Sequence, residues 1–566
     1  THYLRDMPQI AKPESHLQQT TSDHRGASVL VSTLAQLGLR DAVISPGSRN
    51  APFIISLVSH PLITTHVVID ERSAAHVALG LALKNGTPAA VVCTSGTAAV
   101  NHGPAIAEAF HQRVPLISIT ADRPVDAIGK GHGQTVIQSQ LFSNHTLYGA
   151  TIDESKHTDN EIIEMAQAAW SSACCGGPSH LNVPFEEPLY GKIVRQDISI
   201  PVPNPTTTPA LTIPQTLLEN GRHAILIAGP RGIWKQGART TLPGVSEKFS
   251  GIKGDALISS GDLLASCEIF DIKDSTRHHN APSAIITVGQ PVMSKSLRKQ
   301  LTALHVPHVH VGDDGEGLDT FGSLVESIHA DPCEWLLFYE REVTKSDAFA
   351  AFFAKEKTRI KSIHEHGLDE FEWSDLSAYR EVFQAINKGF IHFANSTSAR
   401  YAMLFDTINS AEGEIKLHAN RGVAGIDGCT STAVGHALTT EEDVLLVSGD
   451  VAFLYDINGL ASVQELPDNI KVIVVNNGGG GIFRWLEGPN EVGLLGSHFE
   501  AKPKTSIKAA SRFCGLMYFC ADDAESTKKK LSEFIHFTGP AVLEIVTDPK
   551  ISSDVYKKYM KAFQNK

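Results

Sequence analysis

Two segments decide the fold: VLLVSGDV, residues 444–451, and VIVVNNGGGG, residues 472–481. Each starts with four apolar residues, which is typical of a buried strand, and then changes to polar residues and glycine. Two such strands separated by a helix-length segment favour a parallel α/β sheet. Ligands of parallel sheets bind at the carboxyl ends of the strands. We therefore expect Asp450 and Asn477 to lie at one edge of a sheet.

The two ends of the chain repeat one order of features. A helical pattern ends at Gly38 near the start and at Gly389 downstream, and each is followed by an apolar strand and a serine- and arginine-bearing segment. Further pairs in the same order are 80–83 with 435–438, 92–96 with 446–449, and 177–178 with 539–540. Because several pairs keep one order, we predict two homologous α/β domains of about 180–190 residues each.

A third unit lies between the repeats. It begins with a segment, 201–214, that contains five prolines and is typical of a stiff connector. Apolar strands that end in glycine follow at 225–229, 285–289 and 309–312. The fold class is therefore α/β, with three doubly wound parallel-sheet domains: a first domain (1–200), a central domain (201–370) and a third domain (371–566).

Composition excludes several classes of protein. The 566 residues include 49 Lys and Arg against 62 Asp and Glu, a net charge of −13, which argues against a nucleic-acid-binding surface. No stretch reaches the ~18 apolar residues of a membrane helix, and the first residues lack the apolar core of a signal peptide. The eight cysteines form no C-x-x-C motif, and H-E-x-x-H is absent. We expect reduced cysteines in a cytoplasmic protein.

The two opening segments also suggest a divalent cation site. Mg²⁺ prefers oxygen ligands and often shares them with phosphates. The carboxylate of Asp450, the amide oxygen of Asn477 and the backbone carbonyl of Gly479 would supply three, and glycine amides would face a phosphate group. Either segment alone would be better interpreted as a turn or a loop. Their combination at two strand ends favours a ligand site.

Together the segments resemble the G-D…N-N motif of thiamine-diphosphate enzymes, with Val451 in place of the usual third glycine. The resemblance implies thiamine diphosphate and Mg²⁺ as cofactors, with Mn²⁺ able to replace Mg²⁺. It assigns the metal to Asp450, Asn477 and Gly479. The cofactor-binding residues that it implies in this region are Gly449, Asp450, Val451, Ala452, Asn477 and Gly479.

The resemblance also implies an activating acid from the first domain. Glu71 follows an apolar segment, and its carboxyl group would hydrogen-bond the aminopyrimidine ring and favour the imino tautomer that takes a proton from the thiazolium carbon. Ile426 precedes Gly435 by the same nine residues that separate Glu71 from Gly80. It would lie between the two cofactor rings. The alternatives are an acid at a helix start for Glu71 and a core position for Ile426.

Five segments make the resemblance more specific. They are SPGSRNAPF (45–53), DERSAAHVALGLA (70–82), TADRP with a following GQ (120–134), ANRGVAGIDG (419–428) and VVNNGGGGIF (474–483). These resemble the MenD family, the 2-succinyl-5-enolpyruvyl-6-hydroxy-3-cyclohexene-1-carboxylate synthases of menaquinone or phylloquinone biosynthesis. The resemblance implies decarboxylation of 2-oxoglutarate and addition of the succinyl carbanion equivalent to isochorismate, with release of carbon dioxide. It also makes the first domain pyrimidine-binding and the third domain diphosphate-binding.

The family's substrates carry several carboxylates, and the matching segments carry arginines. Arginine binds carboxylates through two parallel hydrogen bonds and stays charged when desolvated. A single arginine is more often part of a surface salt bridge, but four in matching segments favour a substrate site. The substrate-binding residues that the resemblance implies are Ser48, Arg49, Arg123, Gln134, Lys295, Ser396, Arg400, Arg421 and Phe483.

The resemblance further implies a homodimer or homotetramer with active sites at the subunit interface, where Glu71 of one subunit meets Asp450 and Asn477 of another. Two alternatives remain. The chain could be another thiamine-dependent decarboxylase or carboligase that resembles acetohydroxyacid synthase, although smaller substrates leave the arginines unexplained. It could also be a non-catalytic homologue, although Glu71, Asp450 and Asn477 are all present.

Overall fold

Three six-stranded sheets form the frame of the molecule, and each is parallel throughout. The structure is a computed structural model that describes residues 20–564 apart from 197, 199, 201–210, 232–236, 267–280, 314, 368–370, 387 and 406–414. Each sheet lies within one predicted domain. Residues 201 and 370, which border the predicted central domain, lie outside the described residues, so the domain limits stay a prediction.

The sheet of the first domain consists, in spatial order, of Thr64–Val67, Asp41–Ile44, Ala89–Cys93, Leu116–Asp122, Pro178–Pro184 and Tyr148–Thr151. Its α-helices are Arg25–Leu37, Ala51–Val58, Glu71–Asn85, Thr97–Val100, Gly103–Gln112 and Asp159–Cys174. Short 3₁₀ turns span Val125–Ala127 and Ser143–His145. A separate antiparallel pair joins Thr20–Ser22 to Lys192–Val194.

The sheet of the third domain has the strands Ile415–Ala419, Gly389–Phe393, Val444–Gly449, Ile470–Asn476, Ala541–Val546 and Met517–Ala521, again in spatial order. Numbered along the chain, the order is 2-1-3-4-6-5 in both the first and the third domain. Its α-helices are Asp375–Ala385, Thr397–Leu404, Cys429–Ala437, Asp450–Tyr455, Asn458–Ala461, Glu487–Glu491, Ile507–Phe513, Ala524–His536 and Pro549–Lys561. A 3₁₀ turn, Gly481–Arg484, and a π turn, Leu495–Phe499, follow the glycine run. The repeat seen in the sequence is thus a repeat of topology.

The central domain has a different strand order. In space its strands are Leu257–Ile258, Gly244–Ser246, Ala224–Ala228, Ala284–Val288, His308–Gly312 and Leu324–His329, which is 3-2-1-4-5-6 along the chain. A second, two-stranded parallel pair joins Ala238–Arg239 to Ile252–Lys253. Its helices are Gln215–Asn220, Gly261–Ser266, Lys295–Thr302, Pro332–Glu342 and Asp347–Gly367, with 3₁₀ turns at Gly221–His223 and Lys248–Ser250.

The first and third domains meet where two corresponding helices cross. Glu71–Asn85 and Cys429–Ala437 approach so closely that a Cβ atom on Gly80 would overlap the carbonyl oxygen of Thr432, and one on Gly435 would overlap that of Val77. The glycines that the sequence repeat pairs are therefore in contact. Because glycine has no side chain, the two backbones can touch here.

The third domain also packs on the central domain. The rings of Phe249 and Phe393 lie 6.1 Å apart within a buried apolar cluster that extends through both domains. None of the helices in the described part of the chain combines the length and the apolar composition that a membrane crossing needs.

One local prediction was wrong. The helix expected to end at Gly389 ends at Ala385, and Gly389 is the first residue of the next strand. Gly389 has φ +96°, which an L-amino acid rarely adopts, so the glycine marks the entry into the strand.

Candidate active site

Asp450 and Asn477 lie at the same edge of the third sheet. The strands Val444–Gly449 and Ile470–Asn476 are parallel neighbours, with Gly449 opposite Val475. Asp450 comes directly after the first strand and begins the helix Asp450–Tyr455, while Asn477 comes directly after the second. The predicted adjacency of the two strand ends is confirmed.

The Asp450 side chain is buried in a way that fits a bound cation. The residue is 3% exposed, and its Oδ2 atom has no hydrogen-bond partner among the described residues. Burial, together with the charge of nearby Asp375, raises the pKa of this carboxyl group to about 7, although the backbone amides of Val451 and Gly479 act to lower it. A buried carboxylate oxygen without a partner is costly, and a divalent cation would remove that cost.

Asn477 is oriented by a residue that the sequence analysis missed. Its Nδ2 atom donates to Oδ2 of Asp375 at 2.8 Å. The other carboxylate oxygen of Asp375 accepts from Thr547 Oγ1 at 2.5 Å and from Ser552 Oγ at 3.1 Å. Because Asp375 accepts from the amide nitrogen, the amide oxygen of Asn477 is left to serve as a metal ligand. The only sequence signal was an acid at the start of a helix.

The glycine run after Asn477 is shaped by close contacts. Gly479 has φ +139°, and a Cβ atom there would overlap the carbonyl oxygen of Glu500. A Cβ atom on Gly481 would lie 2.5 Å from Nδ2 of Asn477. Only glycine fits at Gly479, so the position of its carbonyl is fixed by packing. The described residues contain no cluster of three His, Cys, Asp or Glu that could bind a metal. The metal ligands other than the side chains of Asp450 and Asn477 would therefore come from the backbone and from a bound phosphate.

Asp450, Asn477 and Gly479 lie together at the end of the two strands, and we call this place the Asp450 corner. Ile426 lies beside it. It packs against Ala394, Cys429 and Ala452. Ala394 directly follows a strand of the third sheet, and Ala452 lies in the helix that Asp450 begins. Ala452 is buried, while Gly449 and Val451 are half-buried. The position of Ile426 agrees with both of its interpretations, as a core residue and as a cofactor contact.

Glu71 is half-buried and begins the helix Glu71–Asn85. Its neighbours face the third domain of the same chain: Asp70 Oδ2 accepts from Asn458 Nδ2 at 2.6 Å, and Arg72 Nη2 donates to the carbonyl of Tyr455 at 3.1 Å. No hydrogen bond or ion pair among the described residues joins Glu71 to the Asp450 corner of its own chain.

Two of the predicted arginines, Arg400 and Arg421, interact electrostatically with carboxyl groups of the central domain. Arg400 Nη1 lies 3.7 Å from Oδ2 of Asp262. The buried Glu247 accepts a hydrogen bond from the Met293 amide, and within the part of the chain that the structure describes its Oε2 atom has no hydrogen-bond partner. Burial raises the pKa of Glu247 to about 7, although the charges of Arg421 and Arg400 act to lower it. Glu247 was missed because the strand before it, Gly244–Ser246, is too short to recognise.

Ser396 has a strained backbone. Its φ of +70° and ψ of −126° lie in a region that non-glycine residues avoid, at a cost of about 1–3 kcal/mol. It precedes the helix Thr397–Leu404, which carries Arg400. Strain of this kind occurs preferentially at ligand sites.

Two other predicted arginines lie in the first domain. The buried Arg49 donates from Nη1 to the carbonyl of Phe185 at 3.0 Å and from Nη2 to Glu187 Oε1 at 3.1 Å. Its Nε atom has no hydrogen-bond partner among the residues described. Arg123 Nη2 lies 3.4 Å from Oε1 of Gln134, so the structure brings these two predicted residues together. Ser48 and Gln134 are exposed.

The remaining predicted residues lie on two other elements. Lys295 is exposed and is the first residue of the helix Lys295–Thr302 in the central domain. Phe483 follows the glycine run, and its ring centre lies 5.6 Å from that of Phe499. Among the residues that the structure describes, no hydrogen bond, ion pair or ring contact joins Lys295 or Phe483 to the predicted arginines, so the structure does not bring the whole predicted set together within one chain.

Comparison with known proteins agrees with this geometry. Residues 24–143 match the family model described as thiamine pyrophosphate enzyme, N-terminal TPP binding domain, and residues 402–545 match the corresponding C-terminal TPP binding domain. These matches fall on the first and third sheets, which share one strand order.

Several relatives align over nearly the whole chain. The 2-succinyl-5-enolpyruvyl-6-hydroxy-3-cyclohexene-1-carboxylate synthase of Flavobacterium psychrophilum is 32% identical over 542 residues, 93% of this chain and 96% of the relative. Enzymes of the same name from Flavobacterium johnsoniae and Christiangramia forsetii are also 32% identical, over 94% of this chain and 98% of each relative. The chain belongs to the family of 2-succinyl-5-enolpyruvyl-6-hydroxy-3-cyclohexene-1-carboxylate synthases, thiamine-diphosphate-dependent enzymes that form a carbon–carbon bond.

Proposed function

We propose that this chain catalyses the decarboxylation of 2-oxoglutarate and the addition of the resulting four-carbon unit to isochorismate. The observation that carries the proposal is the Asp450 corner in a chain whose three relatives described above bear the same synthase name. The predicted arginines support the choice of substrates, because 2-oxoglutarate and isochorismate both carry carboxylates.

The Asp450 corner fits a metal-bound diphosphate. Asp450, Asn477 and Gly479 would hold Mg²⁺ or Mn²⁺, and the start of the helix Asp450–Tyr455 would face the diphosphate. Ile426 would support the cofactor from the side of Ala452. When bound, thiamine diphosphate supplies the nucleophilic carbon and the electron sink for loss of carbon dioxide.

Glu71 would hold a proton at the pyrimidine ring nitrogen of the cofactor. A carboxyl group in this place tunes the proton affinity of the neighbouring amino group. Its half-buried position at a helix start leaves it accessible to a partner outside its own chain.

The arginines would bind and orient the substrates. Arg400 and Arg421 present guanidinium groups where the central and third domains meet, beside Asp262 and Glu247. A substrate carboxylate at this place would gain two charged hydrogen bonds in a site with little water. Arg49, Arg123, Gln134 and Lys295 would complete the site, with Ser48, Ser396 and Phe483 at its wall.

The active unit in this proposal is a homodimer or homotetramer. Glu71 of one subunit would act on the cofactor held by Asp450 and Asn477 of its partner. The proposal places the reaction in the cytoplasm, in keeping with the free cysteines among the described residues.

The test is an assay of the purified chain with Mg²⁺, thiamine diphosphate and 2-oxoglutarate, with and without isochorismate. We expect carbon dioxide release from 2-oxoglutarate and an adduct only when isochorismate is added. Turnover of pyruvate with no response to isochorismate would favour an enzyme that resembles acetohydroxyacid synthase. No turnover of any 2-oxo acid by folded protein would favour a non-catalytic homologue.

A further inference from the structure

A buried glutamate of the first domain holds a loop of the third domain. Glu108 is 4% exposed, yet its Oε1 atom accepts from the backbone amide of Gly422 and its Oε2 atom from that of Val423, both at 2.7 Å. The partners are more than 300 residues away in the sequence. These two amides come directly after Arg421, one of the predicted substrate-binding arginines.

The same helix holds the other end of the loop. Gln112, four residues after Glu108 and on the same face of the helix Gly103–Gln112, donates from Nε2 to the carbonyl of Ala419 at 3.1 Å. A Cβ atom on Gly422 would lie 2.6 Å from the carbonyl oxygen of Glu108, so the loop rests directly on the helix backbone. Arg421 is thus between two anchor points on one rigid element.

The guanidinium of Arg421 is held by a hydrogen bond within its own domain and lies in the field of a charge from the central domain. Its Nη1 atom donates to Oδ1 of Asn395 in the third domain at 2.8 Å. Asn395 in turn donates from Nδ2 to the carbonyls of Asn420 and Gly425, which fixes its own orientation. The charge of Glu247 in the central domain also acts on Arg421. Charged groups of all three domains therefore act on this one side chain, since Glu108 of the first domain does so as well.

We propose that Glu108 is a positioning residue that sets the direction in which Arg421 is presented to a substrate carboxylate. A carboxylate can accept from two amides at once, whereas a glutamine accepts with its oxygen and places an NH₂ group against the second amide. Glu108 does not need to touch substrate. It acts through the backbone of the loop, and this proposal rests on the assignment of Arg421 to substrate binding.

The first experiment compares E108Q with wild type in steady-state kinetics for both substrates. We expect the KM for the substrate bound by Arg421 to rise about tenfold, while kcat falls less than threefold and the affinity for thiamine diphosphate is unchanged. The control is E164Q, the same change at an exposed glutamate of the first domain, which should leave all three quantities unchanged. An unchanged KM in folded E108Q would overturn the proposal.

A double-mutant cycle separates positioning from a general effect on structure. In an R421A background, E108Q should cost no further kcat/KM, because its only route to the substrate has been removed. An equal loss in both backgrounds would overturn the proposal. Wild-type kinetics in R421A alone would instead show that the assignment of Arg421 is wrong, which is a failure of the proposed function.

A second variant covers the case in which E108Q fails to fold. Q112M keeps the volume of the side chain and removes only the donor to the carbonyl of Ala419. We expect a smaller rise in the same KM, about threefold, with no change in kcat. If Q112M leaves this KM unchanged while R421A raises it, the helix does not position the loop and the proposal is wrong.

Discussion

The first and third domains share one strand order, but the residues that follow the third strand along the chain differ between the two domains. In the third domain the strand Val444–Gly449 leads to Asp450, whose buried Oδ2 atom has no hydrogen-bond partner in the described part of the chain. In the first domain the corresponding strand, Ala89–Cys93, leads to Gly96, whose amide donates to Oε1 of the buried Gln138. At the strand end in the third domain, a buried carboxylate oxygen lacks a hydrogen-bond partner among the described residues. At the corresponding strand end in the first domain, the backbone amide is already hydrogen-bonded by a side chain of the same domain. The fold provides the position, and the residue after the strand decides whether a ligand is needed there.

The helix starts of the two domains differ in the same way. In the first domain His24 directly precedes the helix Arg25–Leu37, and its ring forms a hydrogen bond with Glu154 at 2.7 Å. The third domain begins the matching helix with Asp375, which accepts from Asn477. Glu154 and Asp375 both accept hydrogen bonds, but only Asp375 orients a residue of the site.

We expect the largest loss of activity from a change at Asp450, the residue that distinguishes the strand end of the third domain from that of the first. D450N keeps the shape of the side chain but removes the charge that a metal-bound diphosphate needs, so we expect turnover to fall about 10³-fold. Mg²⁺-dependent binding of thiamine diphosphate, measured by calorimetry, should be lost as well. D443N, at the other end of the same strand, is the control. Undiminished cofactor binding in D450N would show that this strand end is not the site.

A second change tests the symmetric contact between the two domains. G435V places a side chain against the carbonyl of Val77, and we expect a loss of about 3 kcal/mol of stability or an insoluble protein. Thermal unfolding and soluble yield measure this. G488A, where a Cβ atom meets nothing within 4 Å, should leave both unchanged. A stable G435V protein would mean that the two helices do not touch as described.

The helix starts give a third prediction. D375N removes the carboxylate that accepts from Asn477, and loss of such a supporting partner typically weakens metal binding about 10–100-fold. A change at the start of the corresponding helix in the first domain, H24Q, should leave the Mg²⁺ affinity unchanged. Equal metal affinities in D375N and wild type would contradict the orienting role of Asp375.

The smallest expected effect concerns the central domain, where Glu247 should make the stability of the protein depend on pH. The pKa of Glu247 is raised from 4.5 to about 7, so the folded chain keeps a proton that the unfolded chain releases over this range. The contribution of Glu247 to stability therefore falls as pH rises through that window. E247Q has no proton to lose, and its melting temperature relative to wild type should rise by a few degrees between pH 5 and pH 8. Parallel pH profiles for E247Q and wild type would contradict this.

Local sequence was enough to place Asp450 and Asn477, because each comes directly after a strand of regular length. It also paired Gly80 with Gly435, since a repeat preserves position along the chain. It could not show that these glycines touch, because contact depends on how two domains dock. It placed the end of one helix wrongly at Gly389, where glycine marks a positive φ rather than a helix end.

Residues that act across domains were beyond prediction from one sequence. Glu108 is separated by more than 300 residues from the loop that it holds, and nothing in the helix around it signals a partner. Asp375 looked like an ordinary acid at a helix start. The strained backbone of Ser396 had no sequence signal either, since serine rarely adopts such a conformation.

The central claim is that the two homologous domains divide the site between two subunits, with Glu71 from one and Asp450 from the other. We expect E71Q alone to bind the cofactor yet lose at least about 100-fold in turnover, and D450N alone to be inactive. Neither variant should be active by itself. Each, however, keeps the group that the other lacks.

The most direct measurement is the activity of a refolded or co-expressed mixture of E71Q and D450N. If the site is shared, half of the dimers are mixed and each has one intact site, so the mixture should regain about a quarter of wild-type activity. If Glu71 and Asp450 of the same chain act together, every site in the mixture carries a defect. Activity no higher than that of the separate variants would then contradict the account.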